Sequence, residues 1–477
     1  MINVTFLQEL MNTVAEQGRQ LLPWPLRTMS GGNTIEALAA ALVSSRGEAS
    51  GVVLARELLS RYQSLGIDEK RSFFRYLAEA MQPDRAKAKV AAEAFAADPS
   101  DANMARLQVI LESPRQEFFR RLNLAPGATA QIVAMRRDLL RMPKGDAALT
   151  AALAQVDGDL MHLLYSWFNR GFLVLRRIDW QTPAAILDKI IAYEAVHEIQ
   201  GWEDLRRRLD PADRRCFAFF HPSLIDEPLI FVEVALMGEI PGGITDVLHE
   251  ARKAATAVQT PTTAVFYSIS NCQEGLKGIS FGNFLIKQVA EELAKEHPSL
   301  KTFVTLSPVP HFARWLDRVR ADAAAGIVTS ADRIALASLN DPEWVDDTAT
   351  EEALKPTLMA LAAHYFLVAK TADGRPVDAV ARFHLGNGAV LERINWLGDA
   401  SQKGLAEAHG LMVNYKYELK DIEANHEAFA NDGTVVAAKR VKSLLRQGEK
   451  IKPAVDPKKL APPAHKPAIS AARDDDR

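Results

Sequence analysis

Near residue 200 the spacing of apolar residues changes period, and a chain that changes in this way has to build two unlike cores. Residues 1 to about 190 read as nearly all helix. Within Asp68 to Met81, the side chains of Phe73, Phe74, Leu77 and Met81 fall on one helical face. Between Ala86 and Ala97, seven of twelve residues are alanine, the best intrinsic helix former. Turn chemistry interrupts the pattern at Gly31-Gly32-Asn33, Pro83-Asp84, Asp98-Pro99-Ser100 and Pro126-Gly127. No convergent polar set stands out in this half, so a helical bundle acting as scaffold or oligomerisation surface is expected.

Beyond residue 200 the texture is that of a sheet. Leu229 to Met237 (LIFVEVALM) is an apolar run broken only by Glu233, with the length and branching of a strand. Thr263 to Ser270 (TAVFYSIS) alternates, with Val265, Tyr267 and Ile269 on one face. Thr302 to Leu306 and Ala389 to Leu397 read as further strands. A helical pattern from Asn283 to Glu296 turns Phe284, Ile286, Val289 and Leu293 inward and spaces Glu291 and Lys295 for an i,i+4 pair on its outer face. The fold class expected is α+β, with a helical domain over 1–190 and a mixed α/β domain with a central sheet over 191–448. The remainder, 449–477, has five prolines from Lys450 to Arg477 and almost no large apolar side chain, and is expected to be a disordered tail.

Composition then closes several function classes. At 477 residues the chain exceeds one ordinary core. A formal net charge of −3 provides no field that would draw it to nucleic acid or an anionic membrane. Cys216 and Cys272 are the only cysteines, so a disulfide framework and a Cys-rich metal site are both excluded, and a reducing cytosolic compartment fits. No apolar run approaches the ~20 residues that cross a bilayer. Glu9 and Glu16 in the amphipathic segment Met1 to Leu22 argue against a signal or transit peptide, and the final Asp474-Asp475-Asp476-Arg477 is no peroxisomal signal. A cytoplasmic protein without nucleic-acid or membrane partners is expected.

Asn271 to Asn283 (NCQEGLKGISFGN) joins a strand to a helix and carries Gly275, Gly278 and Gly282. Such a turn can converge backbone N–H groups on an anion at the helix N-terminus, and glycine lets a pyrophosphate approach the amides. Taken alone such a turn is more often a plain connection, and neither a Walker A nor a Rossmann spacing is present.

Two further segments stand out. In Thr302 to Trp315 (TFVTLSPVPHFARW), Ser307 follows a strand and precedes Pro308, which biases it to an extended backbone. It could present its hydroxyl to a cleft, or cap a helix beginning near Pro310. In Ala381 to Ser401, His384 precedes a Gly-Asn-Gly turn between two strand-like runs, a hairpin signal. It is one of eleven histidines, no two of which have metal-ligand spacing on a recognisable helix.

Taken together these segments resemble the malonyl-CoA decarboxylase family. The motifs are FYSIS at Phe266 to Ser270, GLKGISFGNFLIK at Gly275 to Lys287, LSPVPHFARWL at Leu306 to Leu316, FHLGNGAVLERINW at Phe383 to Trp396 and GLMVNYKY at Gly410 to Tyr417. The resemblance covers nearly all of residues 190–448 and, more loosely, the helical half. It implies a catalytic domain similar to the GNAT acyl-CoA transferases, with a Ser–His pair matching Ser307 and His384 and a tyrosine near the histidine matching Tyr417. The stretch Lys277, Gly278, Ile279, Ser280, Phe281, Gly282 and Asn283 matches the segment that contacts CoA. Some family members carry an acidic residue where Ser280 stands, so that acid is not essential here unless another group replaces it.

The activity implied is conversion of malonyl-CoA to acetyl-CoA and CO2 within fatty acid metabolism, by a homo-oligomer (dimer or tetramer) with no metal and no organic cofactor. The thioester carbonyl itself accepts the electrons of the breaking C–C bond. His384 would protonate the resulting enolate, an imidazole ordinarily titrating near working pH, while Ser307 would bind the carboxylate or the imidazole. Lys277 or Lys287 would reach phosphate oxygens. Two alternatives remain: a GNAT-type acyl-CoA N-acyltransferase, and a non-catalytic acyl-CoA-binding protein.

Overall fold

The computed structural model describes residues 34–44, 47–143, 145–168, 170–248, 260–279, 285–322 and 326–446. The segment Met1 to Leu22, the Gly31–Asn33 break and the tail over 449–477 lie outside the described residues. The chain forms two compact units, one of Met1–Leu205, Phe217–Phe231 and Ser270–Gly282, the other of Arg206–Cys216, Val232–Ile269 and Asn283–Arg477.

The first unit is dominated by helices α1 (Ile35–Ser44), α2 (Glu48–Ser64), α3 (Ile67–Ala80), α4 (Arg85–Ala97), α5 (Asp101–Leu111), α6 (Pro114–Leu122), α7 (Ala128–Arg141) and α8 (Ala147–Trp167). The expected apolar face of α3 is the one buried: Phe73, Phe74 and Leu77 join Tyr62, Phe118 and Phe119 in an aromatic core. Each such ring removes enough apolar surface to contribute about 2 kcal/mol or more. The breaks sit where turn chemistry put them. Asp84 accepts the N–H groups of Ala86 and Lys87 at the start of α4, and Gly127 takes a left-handed φ of +71° before α7. The polar set absent from the sequence reading exists. Asp159 accepts from Ser113, Arg115 and Gln116, while Arg115 donates to the carbonyl of Ala78. It ties α3, α6 and α8 together. The all-helical expectation also needs one correction, because Val174–Ile178 (VLRRI) forms strand β1, followed by α9 (Ala184–Tyr193) and α10 (Trp202–Leu209). Five residues, two of them arginine, give no period long enough to read.

The remaining strands are β2 (Arg214–Phe220), β3 (Pro228–Met237), β4 (Thr263–Asn271), β5 (Thr302–Thr305), β6 (Ser307–Pro308), β7 (Val390–Asn395) and β8 (Met412–Lys416). The sheet order is β1-β2-β3-β4-β5-β8-β6, with β7 also paired to β8. Between β3 and β4 lies α11 (Thr245–Leu248). In the second unit, β4 and β5 run parallel from Thr263↔Thr302 to Phe266↔Thr305, joined through α12 (Leu285–Glu296), since a parallel pair needs a crossover connection. Val265, Tyr267, Val304, Leu306 and Met412 pack with Ala235, Met237 and Val247 in one core cluster. The pairing expected of Glu291 with Lys295 is replaced: Lys295 meets Glu292 at 3.3 Å and Glu291 meets Lys287 at 3.8 Å. Exposed i,i+3 and i,i+4 pairs differ by little, so rotamer choice decides between them.

Helices α13 (Phe312–Ala321), α14 (Ser330–Leu336), α15 (Thr348–Leu367), α16 (Ala379–Gly386), α17 (Gln402–Ala408), α18 (Ile422–Asp432) and α19 (Lys439–Lys442) complete the described chain. The architecture is thus a helical N-terminal region followed by a mixed sheet with helices, as the change of period indicated.

Candidate active site

Ser307 opens β6 just after the chain leaves β5 at Leu306. It pairs with Val413 of β8, and Pro308 pairs with Met412. Proline holds the preceding residue extended, so the LSPVP segment places the serine on a strand as its sequence suggests. The capping role does not occur: α13 begins at Phe312 with His311 at its N-cap position. Alternate residues of an extended chain share a face, which puts Thr305 beside Ser307. The Ser307 hydroxyl lies 2.9 Å from Thr305 Oγ1, which also accepts the Tyr415 N–H at 3.1 Å.

His384 is not in a hairpin. It belongs to the last turn of α16, which Asp378 caps by accepting the Ala381 N–H at 2.7 Å, while the Tyr365 hydroxyl donates to the same carboxylate at 3.0 Å. Asn387 and Gly388 then stop the helix. Gly388 has φ +81° and donates to the Leu385 carbonyl, and Ala389 donates to the His384 carbonyl. A Cβ at Gly388 would lie 2.1 Å from the Ile422 carbonyl oxygen. Gly-Asn-Gly is therefore a helix stop leading into β7; the same left-handed residues serve hairpins and helix ends, which is why the local pattern misled.

These elements bring three side chains together. Nε2 of His384 is 3.2 Å from Ser307 Oγ and Nδ1 is 2.8 Å from the Tyr417 hydroxyl. Tyr417 follows β8, and its N–H donates to the Phe303 carbonyl at 2.8 Å. Tyr415, two residues earlier on the same face, stacks on the imidazole with centroids 4.5 Å apart and planes at 22°. Thr305 and Tyr415 were not singled out from the sequence, although each lies two residues from one that was.

The imidazole is only 3% exposed, and this burial holds its pKa down to about 3. The sequence expectation that it titrates near working pH is corrected on that ground: at neutral pH the ring is uncharged. Burial likewise raises the Tyr417 phenol well above its ordinary value, so it keeps its proton. A buried phenol O–H needs an acceptor, and Nδ1 is the one beside it. Nδ1 is then the acceptor nitrogen and Nε2 carries the hydrogen. The chain of donors runs from Tyr417 to His384, from His384 to Ser307, and from Ser307 to Thr305.

After β4 the chain makes a short 3-10 turn over Glu274–Leu276. Lys277 and Gly278 are exposed and Ile279 is buried, whereas Ser280, Phe281, Gly282 and Asn283 lie outside the described residues. Gly278 has φ +82°, a conformation that glycine adopts without strain. Gly275 answers a different need: a Cβ there would lie 1.9 Å from the Val133 carbonyl oxygen of α7. Lys287 is engaged by Glu291 and Glu423.

The family model for the malonyl-CoA decarboxylase C-terminal domain matches residues 171–455, and that for the N-terminal domain matches residues 81–168. The mitochondrial malonyl-CoA decarboxylase of Anser anser anser is 36% identical over 361 residues, covering 72% of this chain and 71% of that protein. The chain belongs to the malonyl-CoA decarboxylase family. Crystal structures of malonyl-CoA decarboxylases agree. That from Rhodopseudomonas palustris is 55% identical with a TM-score of 0.82, over 86% of this chain and 98% of its own. That from Agrobacterium vitis is 55% identical with a TM-score of 0.81, over 87% and 100%. The resemblance carried by the five motifs is borne out, and the malonyl-CoA decarboxylase match reaches into the helical half as well.

Proposed function

We propose that Ser307, His384 and Tyr417 carry out the removal of CO2 from malonyl-CoA. By family the chain is a carboxy-lyase that converts malonyl-CoA to acetyl-CoA and CO2. The observation that carries the residue assignment is the doubly bonded imidazole, with a serine hydroxyl at one nitrogen and a phenol at the other.

In the mechanism we infer, the malonyl carboxylate is held out of the plane of the thioester carbonyl so that the breaking C–C bond overlaps the π system. Its electrons pass to the thioester oxygen, leaving an acetyl-CoA enolate. A neutral imidazole forms no ion pair with the carboxylate and so does not stabilise the ground state, whose charge disperses as CO2 departs. Ser307 orients the carboxylate by turning its one hydroxyl hydrogen from Thr305 to the substrate. The enolate carbon is basic enough to take the Nε2 proton of His384 as the Tyr417 hydroxyl gives its proton to Nδ1; after product leaves, Nδ1 returns that proton to the Tyr417 oxygen as solvent reprotonates Nε2, which restores the starting tautomer. One C–H bond forms, one N–H and one O–H break, one N–H forms, and the proton consumed comes finally from solvent.

We further propose that Lys277 to Asn283 hold the CoA pyrophosphate. The exposed left-handed Gly278 beside Lys277 supports this, because amides in such turns cradle anions. Residues 1–190 would serve as scaffold and 191–448 as the catalytic part. Exposed apolar residues on α5, Met104, Val109 and Leu111, favour a homo-oligomer. Two free, buried cysteines favour the cytoplasm. The test of the reaction is malonyl-CoA alone with purified protein in chelator. Release of CO2 and acetyl-CoA without an acceptor amine is expected; tight binding without turnover would instead mark an acyl-CoA-binding protein.

A further inference from the structure

We infer that Arg136 is a positioning residue for CoA recognition, acting from beneath the turn that ends in Gly278. The inference rests on the reading of that turn as the pyrophosphate site.

Arg136 lies on α7 and is 1% exposed, among the most deeply buried side chains of the described chain. A guanidinium is taken out of water only where its donors are used. Here Nε donates to Asp157 Oδ1 at 2.7 Å, while Nη1 donates to the carbonyls of Gly275 at 2.8 Å and Lys277 at 2.9 Å. One carbonyl belongs to the middle residue of the 3-10 turn and the other to the residue that follows it, so a single charged group fixes the way the chain leaves the turn. Gly275 lets α7 come this close, since any Cβ there would strike the Val133 backbone.

The peptide plane carries the consequence outward. A trans peptide is planar, with its C=O and N–H pointing to opposite sides. With the Lys277 carbonyl drawn toward Arg136, the Gly278 N–H of the same peptide unit must point away from it, on the exposed side of the turn. Three neighbouring amides are already committed: Leu276 to the Gln273 carbonyl, Lys277 to the Glu274 carbonyl and Ile279 to the Leu276 carbonyl. Arg136 thus orients the Gly278 dipole outward, where it can meet an anion. Without it, a peptide next to a glycine can flip and present its carbonyl to the phosphate.

The test compares malonyl-CoA with malonyl-pantetheine, which keeps the reacting thioester and lacks the pyrophosphate. Arg136→Met should raise KM for malonyl-CoA about tenfold or more with kcat within about threefold, and leave kcat/KM for malonyl-pantetheine unchanged within about twofold. Asp157→Asn, which loosens the guanidinium at a partly exposed partner, should move KM in the same direction by about threefold, and carries the test if Arg136→Met fails to fold. Gly278→Val, strained at its positive φ, serves as the reference for the turn itself. If Gly278→Val discriminates between the two thioesters and the Arg136 and Asp157 variants do not, the positioning role is wrong. If Gly278→Val also fails to discriminate, the phosphate reading of the turn falls, and this inference with it.

Discussion

The Tyr417 hydroxyl lies 2.8 Å from Nδ1 of His384, in a setting where burial keeps the phenol protonated and the imidazole neutral. That contact fixes the tautomer, and the tautomer decides which nitrogen can give a proton toward Ser307. Tyr417→Phe preserves ring volume and removes only this donor. Its kcat should fall by about tenfold to a hundredfold with KM little changed, because the loss is of proton order rather than of binding. Turnover within twofold of the parent chain would remove Tyr417 from the mechanism.

Ser307→Ala and His384→Asn delete the two groups proposed to touch the reacting end of the substrate. Each should lower turnover by about 10²-fold or more while CoA binding, read by calorimetry, stays near that of the parent. Near-normal decarboxylation by either purified variant would refute its assigned role.

The depressed pKa of His384 has a signature in stability. The unfolded imidazole binds its proton near pH ~6.5 and the folded one only near 3, so between those values the unfolded state holds more protons. Stability should therefore be lost as pH falls from about 6.5 toward 3, and the group should contribute nothing above that window. The slope expected from one such group is on the order of 1 kcal/mol per pH unit. His409, held down to about 4 by burial, adds to it over a narrower range. Urea denaturation at stepped pH should show a shallower acid loss for His384→Asn, with the His409 part remaining. Equal slopes would mean that the folded chain accommodates an imidazolium at His384.

Local patterns reached the helical half and the main strands because those segments are long and periodic. They did not reach β1, whose five residues are too few, nor the helix under His384, whose Gly-Asn-Gly end is chemically the same as a hairpin turn. Ser307 and His384 stand 77 positions apart, and their meeting was legible only through family resemblance, since nothing in either segment names the other. Thr305 and Tyr415 were within reach of a simpler rule, that residues two apart on a strand share a face. Arg136 was not. Its carbonyl partners lie 139 and 141 residues away and carry no side-chain signal at all.

The end of α16 offers the last prediction. His384 sits one turn before Gly388, whose φ of +81° and close approach to the Ile422 carbonyl together require glycine. In Gly388→Ala the left-handed conformation alone disfavours the side chain by about 1–2 kcal/mol, and the overlap with a backbone oxygen forces the loop or α18 to move. Because Gly388 and Ala389 donate the hydrogen bonds that close α16, that movement is transmitted to the turn carrying the imidazole. A displacement of 1 Å at a reacting group is enough to lower turnover by about a hundredfold. Gly388→Ala should thus lose activity well beyond its loss of stability: at a temperature where circular dichroism shows it folded, kcat should be reduced at least tenfold. An alanine variant with full kcat would show that the His384 position does not depend on how this helix ends.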